Sequence, residues 1–191
     1  MKLDILNLKS NLRRKLLTLF FTNPEKSYYI RQLERLIGFS AGNISNELRR
    51  LNRDHLFITE EVGNSLFYRL NGHHPIYNEL RSIITKTVGV EGGLKTALQV
   101  IPGISCSFIF GSFARGEEYQ LSDIDLFIIG CPDMDKLSGA IHQQEDLLQR
   151  EINYHIYSEK DWIEKIVEKD SFILNLKEQN KIFLIGNEKC L

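Results

Sequence analysis

Two strand-sized apolar runs, residues 104–110 (ISCSFIF) and 123–129 (DIDLFII), set the tightest constraint on this chain. Each is the length of one buried strand and rich in aromatic and branched residues. Each is also bounded by Gly or polar residues, which argues against a helix. Asp123 and Asp125 lie two apart at the start of the second run. The two-residue period of a strand therefore puts both carboxylates on one face, while Ile124 and Leu126 point the other way into a core. The fold must supply a small sheet that presents paired acids at one end.

Paired carboxylates repel, and one pKa must rise unless a cation sits between them. Mg²⁺ suits such a pair, because it is commonly held by one or two carboxylates together with substrate phosphates. Upstream, Gly111-Ser112 ends the preceding strand. Glycine lets a backbone approach an anion closely, and the Ser112 hydroxyl and the N–H groups that follow can cradle phosphate at a short helix start. Arg115 is placed to add a bidentate phosphate clamp. The chain contains no G-x-x-x-x-G-K-[ST], which excludes a P-loop ATPase at the level of motif.

Gly-Ser, ten residues, then Asp-x-Asp, with strand character on both sides, resembles the nucleotidyltransferase signature of the DNA polymerase β superfamily. GSFARGE with SDIDLFII is most similar to its small bacterial and archaeal branch, the minimal nucleotidyltransferases, over residues 94–186. The resemblance implies an α+β fold with a small mixed sheet. It also implies attack of a hydroxyl on the α-phosphorus of a metal-bound nucleoside triphosphate, ATP being the expected one, with release of pyrophosphate. Two metals would stabilise the attacking and leaving oxygens. Matched residue by residue, Gly111 and Ser112 would hold the triphosphate, and Asp123 and Asp125 the metals. Active members carry a third carboxylate on a neighbouring strand. Here that strand reads REINYHIYS, and the aligned position is Asn153. Glu151, on the same face by alternation as His155, is the candidate substitute. Related minimal enzymes often pair with a small helical protein and transfer AMP to a tyrosine of it, so a protein hydroxyl is an implied acceptor.

Charge divides the chain. Up to Lys86 there are 14 Lys plus Arg against 8 Asp plus Glu, and the remainder holds 10 against 17. Halves of opposite sign suggest two modules with different partners, the basic one suited to a polyanion. Helical spacing is seen at Leu12, Leu16, Leu17, Leu19 and Phe20, and again over residues 30–37, closed by Gly38. A third helix runs from a Ser40 cap to about residue 54, with Ile44, Leu48 and Leu51 as its core stripe. A β-hairpin follows (56–61 and 66–70), then a helix over 75–86.

This order resembles the winged helix-turn-helix domains of bacterial and archaeal transcription regulators over residues 10–86. The third helix opposes its apolar stripe with Asn43, Asn46, Arg49, Arg50 and Arg53. Asn pairs bidentately with adenine, and Arg with guanine or phosphate. Tyr28 and Arg31 are placed to hold the DNA backbone. Glu60 and Glu61 would repel phosphate from the hairpin, so the helix is expected to supply the contacts to double-stranded DNA. Regulators of this kind act as homodimers on palindromic sites, so a homodimer is implied.

Gly89, Gly92 and Gly93 mark the expected boundary, with a winged-helix domain over 1–87 and a nucleotidyltransferase-like domain over 88–191. Within the latter, helices are expected over 94–100 and 135–150 and in two stretches of 159–179, with further strands at 152–157 and 182–185. His73-His74 reads as a loop, His142 with Glu145 as a surface pair, and Trp162, Ile163, Ile166 and Val167 as a core stripe. Cys106, Cys131 and Cys190 are odd in number and lack C-x-x-C spacing, which argues against a disulfide framework and a cysteine zinc site. No apolar run reaches the roughly 18 residues of a membrane span. The first residues, with Asp4 and no small-residue cleavage site, do not read as a signal peptide. A cytoplasmic protein without membrane attachment is expected.

Two functions fit these residues. One is a Mg²⁺-dependent nucleotidyltransferase whose winged helix directs it or regulates its own operon. The other is a transcription regulator whose nucleotidyltransferase domain is catalytically degenerate and senses nucleotide or dimerises. Gly-Ser and Asp-x-Asp favour the first, Asn153 the second.

Overall fold

The computed structural model describes residues 7–116 and 122–191; residues 117–121, part of the expected glycine-containing loop, lie outside the described residues. The chain divides into two compact units, Met1–Val90 with Asp146–Gln149, and Glu91–Glu145 with Arg150–Leu191.

In the first unit, α1 (Asn11–Thr22) starts at Ser10, whose side chain accepts the Arg13 N–H at 3.3 Å. A short strand β1 (Tyr28–Tyr29) leads into α2 (Ile30–Ile37), which ends on Gly38 at φ +73°, where glycine has no Cβ to clash. In α3 (Ala41–Leu51) the side chain of Ser40 makes no capping bond. Glu34 caps it instead, its Oε1 accepting the Ala41 N–H at 2.9 Å. The Arg31 guanidinium first, and then this bond, hold the Glu34 carboxyl below its ordinary range. Strands β2 (Phe57–Val62) and β3 (Ser65–Leu70) form the expected hairpin, with Val62 opposite Ser65 across a two-residue turn that has Gly63 at φ +59°. Helix α4 (Tyr77–Thr87) follows. Leu16, Phe20, Leu33, Ile44 and Leu48 are wholly buried in one core. At its margin Arg13 and Glu47 form a buried ion pair.

One expectation is corrected here. Tyr28 is 3% exposed, its ring edge-on to Phe20 at 5.3 Å, so it belongs to the core and does not reach a DNA backbone. Burial pushes its phenol above the ordinary range. It is buried because β1 pairs with β3, Tyr28 opposite Tyr68, a strand too short to leave a periodic signature. His73 and His74 lie in the expected loop ahead of α4, where His74 is buried with one ring nitrogen 3.0 Å from the Asp54 carbonyl.

The second unit is built on a four-stranded mixed sheet in the order β6-β5-β4-β7. The strands are β4 (Ile104–Phe110), β5 (Ile124–Gly130), β6 (Ile152–Tyr157) and β7 (Ile182–Ile185). Strand β5 runs parallel to β6 and antiparallel to β4, and β7 is antiparallel to β4. The helices are α5 (Val90–Gln99), α6 (Gly111–Arg115), α7 (Met134–Leu148), α8 (Glu159–Val167) and α9 (Ser171–Glu178). One sheet face, with Phe108, Phe110 and Phe127, packs against Trp162, Ile173 and Leu176. The alternate residues Ile124, Leu126 and Ile128 are also fully buried. Burial on both faces explains why these strands read as unbroken apolar runs.

Gly92 and Gly93 lie inside α5, which starts where the chain passes from the first unit to the second. Each glycine costs about 1 kcal/mol relative to Ala in a helix, and the buried Leu94 and Leu98 offset that cost. In α8 only Trp162 and Ile166 of the expected core stripe turn inward, since Ile163 and Val167 are 60% and 75% exposed. Cys106 and Cys190 form a disulfide across 84 residues, a separation that no local spacing could reveal, and Cys131 is a free, exposed thiol. Among the described residues no helix is long and apolar enough to cross a membrane.

Candidate active site

Strand β4 ends at Phe110, and the chain turns into α6 at Gly111, with φ +72°. Phe110 faces Asp125 in the antiparallel register. A Cβ on Gly111 would overlap Asp125 Oδ2, so glycine is required both by the backbone angle and by the carboxylate lying against the turn. The Gly-Ser motif and the second acid of Asp-x-Asp, widely separated in sequence, thus meet at one end of the sheet.

Asp123 is exposed and Asp125 half-buried. The Asp125 carboxyl is raised above its ordinary range, first by burial and then by the Asp123 charge; His155 and Arg115 pull it partly back. On the parallel neighbour β6, Asn153 stands opposite Asp125, and its Nδ2 donates to Asp123 Oδ2 at 3.1 Å. Glu151 is exposed just before β6, and its carbonyl accepts the Ile124 N–H at 2.9 Å. Ser112 is half-buried in the first turn of α6, and Arg115 is exposed at its end.

Among the described residues no cluster of three or more His, Cys, Asp and Glu forms a metal site. The donors gathered at the sheet end are two carboxylates and the Asn153 amide. All offer oxygen, and an acid pair under mutual repulsion is relieved by a cation. This donor set fits a hard divalent ion that takes its remaining ligands from phosphate and water.

His155 and Phe172 complete the neighbourhood. His155 is exposed on the Asp125 face of the sheet, its ring 6.1 Å from Phe110, 6.3 Å from Phe127 and 5.4 Å from Phe172. Alternation along β6 places His155 on this face without giving it a task. Phe172 comes from α9 by tertiary packing and has no local signal.

In the first unit Asn43, Asn46, Arg49, Arg50 and Arg53 are all exposed. Arg49 donates to Asn46 Oδ1 at 3.0 Å and to Ser45 Oγ at 3.3 Å, while Arg50 lies 3.8 Å from Glu47. Glu60 and Glu61 are exposed on β2.

The second unit is thus an α+β fold whose small mixed sheet sets a Gly-Ser turn against an Asp-x-Asp pair. Residues 94–177 match the family model of the nucleotidyltransferase domain. No curated protein matches the chain. Among solved structures, a toxin–antitoxin crystal structure with AMP-PNP is similar at 16% identity, over 52% of this chain and 75% of that one, with a TM-score of 0.36. A Sulfolobus solfataricus protein named as a candidate nucleotidyltransferase is similar at 19% identity, over 49% of this chain and 74% of that one, with a TM-score of 0.29.

Proposed function

We propose that the chain is a Mg²⁺-dependent nucleotidyltransferase, moving a nucleoside monophosphate from a triphosphate, ATP in the first instance, to a hydroxyl. The observation that carries this reading is the Asp125 carboxylate lying against the Gly111 turn, where a side chain would collide with it. A phosphate held at Gly111 and Ser112 would then adjoin a cation held by Asp123 and Asp125. Bound there, the metal would supply charge neutralisation and polarisation of the reacting phosphate. Asn153 orients Asp123 and Arg115 offers positive charge to the phosphates. Glu151 is the carboxylate assigned to draw the proton from the acceptor. A small helical protein is the acceptor this reading favours.

The first unit, taken as residues 1–87 with the transferase over 88–191, is proposed to be a winged helix that binds double-stranded DNA as a homodimer. Its contacts would come from Asn43, Asn46, Arg49, Arg50 and Arg53, supported by the helix–helix–hairpin order and the basic balance of this half. Arg50→Ala should weaken binding and flatten its salt dependence by a slope of about 0.9. A cytoplasmic location is part of the same reading.

Asn153 favours a second reading, because an amide cannot serve as a base. In that reading the protein is a transcription regulator whose degenerate transferase domain holds nucleotide or dimerises. Labelled ATP with Mg²⁺ and candidate acceptors separates the two. Label transfer that is lost in Asp123→Ala/Asp125→Ala supports the enzyme. Mg²⁺-dependent nucleotide binding without transfer supports the regulator. Absence of Mg²⁺-dependent binding overturns the assignment of the site.

A further inference from the structure

The aromatic rings beside the acid pair are placed for a task that the phosphate seat leaves open. Phe172, at the start of α9, remains 38% exposed although it belongs to the second unit's aromatic cluster. Its ring lies 5.4 Å from His155 at an interplanar angle of 51°, and 6.3 Å from both Phe110 and Phe127. His155 is exposed as well. Two angled rings, both on exposed residues, therefore lie together on the sheet face that carries Asp125 and Asn153.

The distance from the acids is set by the strands. Phe127 and His155 are paired across β5 and β6, one same-face step beyond the pair Asp125 and Asn153. Such a step is roughly 7 Å along a strand, about the span of the ribose between the α-phosphate and the base of a nucleotide. Phe110 joins the two regions, since it faces Asp125 in the sheet and contacts Phe172 and His155 with its ring.

We propose that Phe172, with His155 beside it, is the stacking surface for the base of the nucleoside triphosphate. The inference rests on reading the sheet end as a triphosphate seat and adds where the base lies. Stacking on an aromatic ring is tolerant of base identity, because every base has a π-face. The ring pair therefore recognises a nucleobase as a class.

The test compares ATP with inorganic tripolyphosphate, each titrated into the full-length protein with Mg²⁺. Phe172→Ala should weaken ATP about tenfold or more, the lower part of the range for one base on one ring, and leave tripolyphosphate within twofold. Phe172→Leu keeps apolar bulk against Phe110 and Phe127 but removes the ring, and should behave like Phe172→Ala. Phe172→Trp should retain ATP affinity. If wild type binds both ligands and Phe172→Leu weakens neither, or weakens both alike, the stacking role is overturned while the triphosphate seat stands. If wild type binds neither ligand, the seat itself is wrong and the stacking role falls with it.

Discussion

Asn153 donates a hydrogen bond from Nδ2 to Asp123 Oδ2 at 3.1 Å, from the position directly opposite Asp125 in the parallel pair. The amide offers a proton to one member of a repelling acid pair. A carboxylate there would add a third negative charge. Asn153 therefore steadies the acid pair, and its amide cannot accept a proton.

Asn153→Asp exchanges these properties. Losing the bond costs about 0.5–1.5 kcal/mol, and the added charge costs more, so Tm should fall in EDTA. Mg²⁺ should restore most of the loss, and label transfer to an acceptor should rise. Thermal melts with and without Mg²⁺ check the first effect, and initial transfer rates check the second.

Gly111→Ala tests the contact between the turn and the acid. The backbone angle of +72° is strained for any residue with a Cβ, costing of order 1–2 kcal/mol, and the methyl would collide with Asp125 Oδ2. The variant should lose at least that much stability, and its Mg²⁺–ATP affinity should fall about tenfold or more, the scale of misplacing one charged ligand. Urea melts and a nucleotide titration measure the two effects separately.

The raised Asp125 pKa has a sign that can be checked. Burial and Asp123 make the folded protein hold its proton to higher pH than the unfolded chain does. Through that window the folded state binds more protons, so metal-free stability falls as pH rises from the unfolded carboxylate range and stays lower at neutral pH. Asp125→Asn removes this liability. In EDTA at pH 7 it should melt above wild type, the gap closing as pH falls to about 4, and it should gain less than wild type from Mg²⁺.

The buried pair of Arg13 and Glu47 governs the first unit, with side chains 6% and 8% exposed. Glu47→Ala removes a buried carboxylate partner of the Arg13 guanidinium and should cost about 3–5 kcal/mol; the double change Arg13→Met/Glu47→Leu should recover most of it. Circular dichroism in urea reads the loss. Fluorescence of Trp162, the single tryptophan, which lies in the second unit, should show an unchanged transition there.

What could be read from sequence follows from how local each signal is. Strands β4 and β5 are two-sided, so their apolar runs are complete, and the face shared by Asp123 and Asp125 follows from alternation alone. Helix α2 ends at Gly38 because the left-handed cap is a one-residue signal. The failures share the opposite property. β1 and the burial of Tyr28 depend on pairing with β3, forty residues away in register. The Cys106–Cys190 bond spans 84 residues. Glu34 takes over the capping of α3 from Ser40 through the fold of the α2–α3 turn. At the site, Asn153 was legible as a departure, but its bond to Asp123 and the approach of Phe172 required the sheet and α9 to be in place.

The most direct measurement is a calorimetric titration of ATP into the full-length protein with Mg²⁺, repeated in EDTA and with Asp123→Ala/Asp125→Ala. Saturable binding to wild type is expected, abolished by EDTA. The double variant should weaken it about hundredfold or more, the scale of losing two charge-assisted contacts, while its metal-free Tm is no lower than wild type. Binding that is indifferent to Mg²⁺ and to both aspartates would contradict the site.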